Sequence, residues 1–326
     1  MNRKAVGAMI GLAGVVILIS LAFVLPMKHS GPHDLPIGVA GPVAATSQIE
    51  DALTTSAPEN FEFHEYGSAN EVRTAIAERD VVGGIVVTPT GPTMLVASAG
   101  GAQIAQSLRG VAAALSTQAG TTVTVEDVVP TTADDPQGAG IAGLALPLVL
   151  GGIIPAIVFL QLLPRKPVQQ ATAAVGFALL TGLGLSLILR FVIGTFDGSV
   201  IPVGLGIALG MSAISLTLIG LTANIGMAGF GLGAVTMMIV GNPLSGIASS
   251  AYWLPSGWSE LGQLLPPGAS ATLLRSLAFF DGHGGGTAVV VLIAWVAVGA
   301  GLVLVARRRS ANAGRHEAAE SAPVAA

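Results

Sequence analysis

The sequence predicts an α-helical polytopic membrane protein with six transmembrane helices and an extracytoplasmic α/β domain between the first and the second. Of the 326 residues, 52% are hydrophobic and only 10% are charged, and the mean hydropathy is +0.76. This composition excludes a soluble globular enzyme, and the high apolar content excludes an intrinsically disordered chain. The uncharged residues are collected in long runs, and Lys and Arg cluster in the segments between alternate runs.

The predicted transmembrane helices are the uncharged runs of the sequence. A spanning helix needs about 20 mostly apolar residues to cross roughly 30 Å of hydrocarbon. Five runs of this kind contain no Asp, Glu, Lys or Arg, and they cover residues 5–25, 141–163, 171–189, 200–221 and 287–306. A sixth run, 225–240, is shorter and rich in glycine. We interpret it as a span because the segments before and after it would otherwise lie on the wrong sides of the membrane.

The first run is interpreted as an uncleaved anchor comprising residues 1–29. Its apolar stretch is longer than the roughly 7 to 15 residues of a signal-peptide core, and no small-x-small cleavage site follows it directly. Residues 140–306 then form a five-helix transmembrane domain, and residues 307–326 are predicted to be a disordered cytoplasmic tail.

The orientation follows from the basic residues of the short segments, which stay preferentially in the cytoplasm. Six spans place all the strongest basic clusters on the inside, whereas five spans put one of them outside. The sequence therefore predicts a multi-pass protein of the plasma membrane with both termini in the cytoplasm. The inner basic residues are Arg3, Lys4, Arg165, Lys166, Arg307, Arg308, Arg309 and Arg315.

Residues 30–139 differ from the rest of the chain, because they carry many acidic side chains and alternate between strand and helix patterns. Strands are predicted at 36–40, 61–66, 81–87, 93–97 and 121–129, with helices at 46–55, 71–78 and 104–118. Ser68 and Glu71 form an S-x-x-E capping box at the start of the second helix. Alternating strands and helices indicate an α/β domain.

Motifs for catalysis and for cofactor binding are absent from the sequence. None of the three lysines follows a glycine, so the chain contains no P-loop and does not hydrolyse ATP by that route. The histidines show no metal-ligand spacing, and no G-x-S-x-G motif frames a serine. We therefore predict a non-enzyme that binds no metal or cofactor and has membrane lipid, but not nucleic acid, as a partner.

Polar and small residues within the runs have packing explanations. Arg190 lies near the outer end of the third run, where it either extends to interfacial water or pairs with Asp197 or an anionic substrate. The G-x-x-x-G steps at 206–210 and 229–233 allow close helix approach, within one chain or in a dimer.

The connection between the fifth and sixth runs, residues 242–286, is too apolar for a solvated loop and too long for a turn. We interpret it as a re-entrant segment, which must be covered by other spans because non-helical backbone is not tolerated in contact with lipid. Its candidate residues are Asn242, Pro243, Pro266, Pro267, Gly268 and Arg275.

The whole layout, one span, a large outer α/β domain and five further spans, resembles ABC transporter permeases of the type-2 exporter class. The stretches Asn242-Pro243-Leu244-Ser245-Gly246 and Leu265-Pro266-Pro267-Gly268, followed by Arg275, are similar to the segment that precedes the last span in that class. Residues 71–79 followed by the strand 81–89 are similar to part of its outer domain. The related phage infection protein family shares this architecture.

The resemblance implies a dimer of permeases, identical or not, that works with a separate cytoplasmic ABC ATPase. The ATP is then used by the partner, and the candidate contact is the inner turn Pro164, Arg165, Lys166 and Pro167. The preferred hypothesis is export of an amphipathic or lipid-like substrate. The alternative is a receptor or anchor that does not transport, whose outer domain binds a ligand, a cell-wall component or a phage.

Overall fold

The computed structural model describes residues 3–28, 31–57, 60–247, 250–255 and 257–320, and it combines apolar helices with a separate α/β sheet region. Among the described residues, four helices are long and apolar enough to cross a membrane. They are Ala139–Leu162, Pro167–Ile193, Val200–Ile225 and Gly286–Arg309. The count of six spans stays a prediction.

The N-terminal helix α1 (Arg3–Lys28) has 26 residues and covers the predicted first run. It packs against the end of the fifth run, at Thr236–Gly241 and at the turn Pro243–Ser245. The N-terminal run thus lies beside the region that was predicted to be re-entrant.

The α/β domain contains the eight elements that the sequence pattern predicts, with boundaries shifted by a few residues. Its sheet has the order β2-β1-β3-β4-β5, and all neighbouring strands are parallel except the hairpin β3–β4. The elements are β1 (Leu35–Ala40), α2 (Val43–Ser56), β2 (Phe61–Glu65), α3 (Ala69–Glu78), β3 (Gly83–Thr88), β4 (Gly91–Val96), α4 (Ala102–Ala119) and β5 (Thr124–Asp127).

The predicted capping box at the start of α3 is confirmed. The Ser68 hydroxyl accepts a hydrogen bond from the Glu71 amide at 3.3 Å, and the Glu71 carboxylate accepts one from the Gly67 amide at 3.0 Å. Two backbone donors that the helix leaves unpaired are thereby satisfied. At the other end α3 stops at Arg79, which adopts a left-handed conformation with φ of 67°.

The transmembrane bundle is built around one buried helix. After the short helix α5 (Ala139–Gly143), α6 (Ala145–Leu162) and α7 (Pro167–Ile188), which a π-helical turn extends to Ile193, pack on the same central helix. This central helix, α8 (Val200–Ile225), is buried over nearly its whole length. The last helix, α12 (Gly286–Glu320), covers another side of α8.

Glycine allows the neighbours to approach α8 closely. A side chain at Gly182 of α7 would lie 2.4 Å from the Gly204 carbonyl oxygen, and one at Gly299 of α12 would lie 2.6 Å from the Leu216 carbonyl carbon. In a lipid environment such contact area drives helix association, because lipid gives no hydrophobic force between helices. Close backbone approach at these glycines thus adds to the packing of the apolar side chains in the bundle.

The fifth run is helical over only part of its length. It consists of α9 (Met227–Val235) and a π-helical continuation, Thr236–Gly241. At about 1.5 Å per residue this helix spans about 22 Å, less than the roughly 30 Å of a hydrocarbon core. Both of its motif glycines face α8: Gly229 lies against Leu221, and Gly233 against Leu218.

The chain after the fifth run consists of short turns and two helices, and the re-entrant placement of residues 242–286 in a membrane stays a prediction. It passes through the short turns Pro243–Ser245 and Ala251–Trp253, descends in α10 (Trp258–Gln263) and rises again in α11 (Pro266–Phe279). The glycines of the other G-x-x-x-G step, Gly206 and Gly210, face this α11. Both motifs are thus used within one chain.

The depth of α11 follows from its contacts with α8. Leu277 lies against Gly206, Ser270 lies against Gly210, and Ala269 shares a buried cluster with Ala213, which is half-way along α8. The first residue of α11 therefore lies near the middle of the bundle, and its last turn reaches the end that carries the α/β domain. Gly241, the end of the fifth helix, meets Pro267 at the same middle level.

The predicted disordered tail is corrected in part, because α12 continues to Glu320. Residues 307–320 are rich in Ala, Arg and Glu, which favour helix, and an existing helix extends without a new nucleation cost. Residues 321–326 lie outside the described part of the chain.

Candidate functional site

A cavity of about 320 Å³ lies where the α/β domain meets the bundle. The domain contributes the end of α3, the start of β3 and the start of α4, and the bundle contributes the turn at 251–253, α10, α11 and the first turn of α12. Since Thr287 and Ala288 line it, the cavity is level with the start of the last helix. We call it the arginine cavity, after Arg79 and Arg275 in its wall.

Arg79 fixes the domain side of the arginine cavity. Its Nη1 donates hydrogen bonds to the Ser276 hydroxyl and, at 3.2 Å, to the Thr272 carbonyl of α11. The guanidinium also lies over the ring of Phe280, 5.1 Å from its centroid. Burial lowers the pKa of Arg79, and the nearby Tyr252 partly opposes this effect.

The backbone around Arg79 is shaped for this contact. The side chain leaves from the left-handed residue that ends α3, and it passes directly over Gly284, where an added Cβ would lie 2.9 Å from the Arg79 Cβ. Gly284 itself has φ of 68°, so glycine is required there both for conformation and for space. The sequence thus accommodates an arginine side chain between two distant segments.

Arg275 contributes the second positive charge from the bundle side. It is 9% exposed, and its Nη2 donates to the Ile247 carbonyl at 3.1 Å. Residue 247 belongs to the non-helical stretch after the fifth run, so Arg275 also satisfies a carbonyl that no helix pairs. Neither Arg275 nor Arg79 forms a salt bridge with any described residue.

The remaining wall of the cavity is uncharged. Polar groups come from Tyr252, Ser259 and the hydrogen-bonded pair of Gln263 and Thr272, in which the threonine hydroxyl donates to the glutamine oxygen at 2.6 Å. Burial is the main cause that raises the pKa of Tyr252, while Arg79 lowers it. No Asp or Glu is present among the described residues that line the cavity.

Two positive charges thus share one partly enclosed site without an acidic partner. Moving a cation out of water is costly unless it is paired and hydrogen-bonded. Main-chain carbonyls compensate part of the charge. The guanidinium of Arg79 lies beside the C-terminal half of α11, where the helix dipole favours a cation.

Comparison of the chain with protein families, with curated proteins and with solved structures found no match. What the site does is therefore argued from its own geometry.

The structure separates the predicted site residues into different places. Of the candidate re-entrant residues, Arg275 lines the cavity, whereas Pro266, Pro267 and Gly268 lie at the deep start of α11, and Asn242 and Pro243 lie beside them. The turn of Pro164, Arg165, Lys166 and Pro167 lies at the opposite end of the bundle, with its first three residues exposed.

Arg190 is not among the described residues that line the cavity, and it is already paired. It donates to the Asp197 carboxylate at 2.6 Å and to the Phe196 carbonyl at 2.8 Å. The structure thus contains the pair with Asp197, whereas extension to interfacial water and binding of an anionic substrate stay predictions.

Sequence reasoning missed Arg79 and Tyr252 as parts of the site. From the sequence, Arg79 is included only as the end of the range 71–79, and Tyr252 is not included. No local pattern distinguishes either residue, because their partners lie far away in the chain.

Proposed function

We propose that the chain is the membrane subunit of an ABC-type exporter, moving an amphipathic or lipid-like substrate out of the cytoplasm or the inner leaflet. In this proposal α1 and the fifth run complete a set of six spans in the plasma membrane. Both termini are cytoplasmic, and the α/β domain is extracytoplasmic.

The observation that carries the proposal is the interrupted fifth helix together with the half-length α11. The helix that ends at Gly241 meets Pro267, the start of α11, near the middle of the bundle. The described residues between 242 and 257 form no α-helix, and such backbone is tolerated at membrane depth only inside protein or along a wet cavity. Broken helices that meet near the midplane are a recurrent feature of transporters, where they form the substrate path.

An unpaired polar group at the same depth supports this interpretation. The Ser270 hydroxyl is buried in α11 opposite Gly210 and has no hydrogen-bond partner among the described residues. A buried hydroxyl without a partner is unfavourable, and a second arrangement of α11 in which Ser270 is paired would remove this cost.

The energy for transport comes from a partner in this proposal. A cytoplasmic ABC ATPase binds the exposed turn of residues 164–167, and two permease chains, identical or different, form the transport unit. Arg165 adopts a left-handed conformation with φ of 62°, so the turn presents its two basic side chains in a fixed loop.

Co-purification of ATP hydrolysis with the full chain tests this function. The tagged protein is isolated from its native membranes in a mild detergent, and vanadate-sensitive ATP hydrolysis is measured in the eluate. We expect hydrolysis with the wild type and loss of most of it in the double variant Arg165→Gly, Lys166→Gln. Glycine keeps the left-handed turn there without strain.

The matched control is Arg307→Gln with Arg308→Gln, which removes two inner charges elsewhere and should retain ATP hydrolysis. A wild-type eluate without vanadate-sensitive hydrolysis contradicts the exporter proposal and favours a receptor or anchor. Equal loss in the turn variant and the control contradicts the assigned contact.

A further inference from the structure

We propose that the arginine cavity binds a negatively charged phosphate group, held by Arg79 and Arg275. This site goes beyond the transport proposal and does not depend on it, because a phosphate can bind here whether or not the chain exports a substrate.

Three other arginines, which are paired with carboxylates, show how the two of the cavity differ. Arg73 forms a salt bridge with Glu126, Arg109 with Asp127 and Arg190 with Asp197, although all three arginine side chains are partly exposed. Arg275 is buried and Arg79 is half-buried, and neither has a carboxylate partner among the described residues. The three other arginines are therefore paired with carboxylates, whereas the two in the cavity have neutral hydrogen-bond acceptors.

The unused donors suit an oxyanion. A guanidinium offers five N–H groups in a planar fork that matches phosphate oxygens. In the described part of the chain Arg79 donates through Nη1 alone, and Arg275 through Nη2 alone. Tyr252 and Ser259 add hydroxyl donors to the same wall.

The volume and the position of the cavity agree with this ligand. Its volume of about 320 Å³ is at the lower end of the roughly 300 to 1,000 Å³ of small-molecule sites. It is level with the first turn of α12, which is where lipid phosphates lie if that helix crosses a bilayer. The phosphate thus has two possible sources, an anionic lipid headgroup and free inorganic phosphate.

Binding to the purified full chain in a nonionic detergent tests the proposal. Calorimetry is performed with inorganic phosphate, with dihexanoyl phosphatidic acid and with zwitterionic dihexanoyl phosphatidylcholine. We expect saturable binding of at least one of the two anionic probes and much weaker binding of the zwitterionic lipid. Comparable affinity for both anionic probes identifies free phosphate as sufficient, and binding of the lipid alone identifies a headgroup site.

Two variants assign the binding to the cavity. Arg275→Gln should weaken binding by about tenfold or more, the usual effect of losing hydrogen bonds from a charged group. The matched control Arg109→Gln also removes one positive charge, but from a salt-bridged pair in the α/β domain, and it should bind like the wild type.

Gln263→Glu keeps the test decisive if Arg275→Gln fails to fold. It places a carboxylate of the same shape in the cavity wall and keeps the acceptor for Thr272, although it loses the hydrogen bond that the Gln263 amide donates to the Ser245 carbonyl at 3.4 Å. We expect this variant to bind the anionic probe at least about tenfold more weakly, because the arginines then have an internal counter-ion. The proposal is overturned if the wild type binds neither anionic probe saturably. It is also overturned if Gln263→Glu binds the anionic probe with the same affinity as the wild type.

Discussion

The guanidinium of Arg79 donates a hydrogen bond to the hydroxyl of Ser276, which lies 197 residues further along the chain. Through this contact the end of α3 in the α/β domain is joined to the last turns of α11 in the bundle. The ring of Phe280 extends the junction, since it belongs to the buried cluster that contains Val72 and Ile76 of α3. The α/β domain is therefore joined to the bundle by side-chain contacts as well as by its chain connections. We expect a movement of α11 to displace α3.

Ser276→Ala should destabilise this junction. The substitution removes an acceptor of a charged donor, which typically costs about 1 to 3 kcal/mol. We expect a lower Tm of the full chain in detergent and faster amide exchange in the last turns of α11.

Ser270→Ala is the matched control, because it is the same substitution in the same helix at an equally buried serine. The Ser270 hydroxyl has no partner among the described residues, so its loss should leave the Tm unchanged or raise it. Equal destabilisation by the two variants would show that the Arg79 contact contributes nothing.

The junction also shows what the sequence can and cannot predict here. Uncharged runs are sufficient to predict the long helices, and the strand and helix pattern of residues 30–139 is sufficient to predict the elements of the domain. These features depend on residues that are close in sequence. Arg79 depends on Ser276 and Gly284, and no periodicity connects positions so far apart.

The depth at which α11 begins in the bundle could not be predicted from the sequence either. The prolines and glycines of 242–286 predict an irregular segment, but where it ends in the bundle depends on which residues of α8 leave room. That information lies in pairs such as Gly210 and Ser270, which only the folded chain brings together.

The close approach of α7 and α8 leads to a second prediction, that Gly182→Ala destabilises the bundle. The new Cβ would lie 2.4 Å from the backbone oxygen of Gly204 and 2.9 Å from the Ala208 nitrogen, so α7 must move outward. Overpacking of this kind typically costs about 1 to 3 kcal/mol. The measurement is the Tm of the full chain in detergent.

Gly184→Ala, two residues further along the same helix, is the control for Gly182→Ala. An added Cβ there meets no atom within 4 Å, so the substitution should be neutral or stabilising. A similar loss in both variants would mean that the close contact does not hold the two helices together.

A third prediction concerns pH and the carboxyl group of Glu50 in α2. Burial raises the pKa of Glu50 above its ordinary value of 4.5, and repulsion from Glu65 and Asp51 acts in the same direction. Because the folded-state pKa is the higher one, ionisation of Glu50 opposes folding. This cost is complete above the folded-state pKa and disappears as the pH falls below the ordinary value.

Glu50→Gln should therefore raise the Tm at neutral pH, and the gain should vanish near pH 4. Its buried Oε1 lacks a partner among the described residues, so glutamine gives up no hydrogen bond at that oxygen. Glu78→Gln is the control at an exposed glutamate of α3 that forms no salt bridge among the described residues. A gain that persists unchanged at pH 4 would contradict ionisation as its cause.

The last prediction concerns sidedness, on which the exporter proposal depends. The chain contains no cysteine, so a single introduced cysteine reports its position without background labelling.

We expect Asp51→Cys to react with a membrane-impermeant maleimide in intact cells. Pro164→Cys and Asn312→Cys should react only after permeabilisation, because the basic residues beside them favour the cytoplasm. Pro164 is exposed, and its replacement leaves both neighbouring charges in place. Without the fifth span, position 312 would lie on the same side as position 51. Labelling of position 164 or position 312 in intact cells would contradict the six-span arrangement and, with it, the inner turn as a docking site for an ATPase.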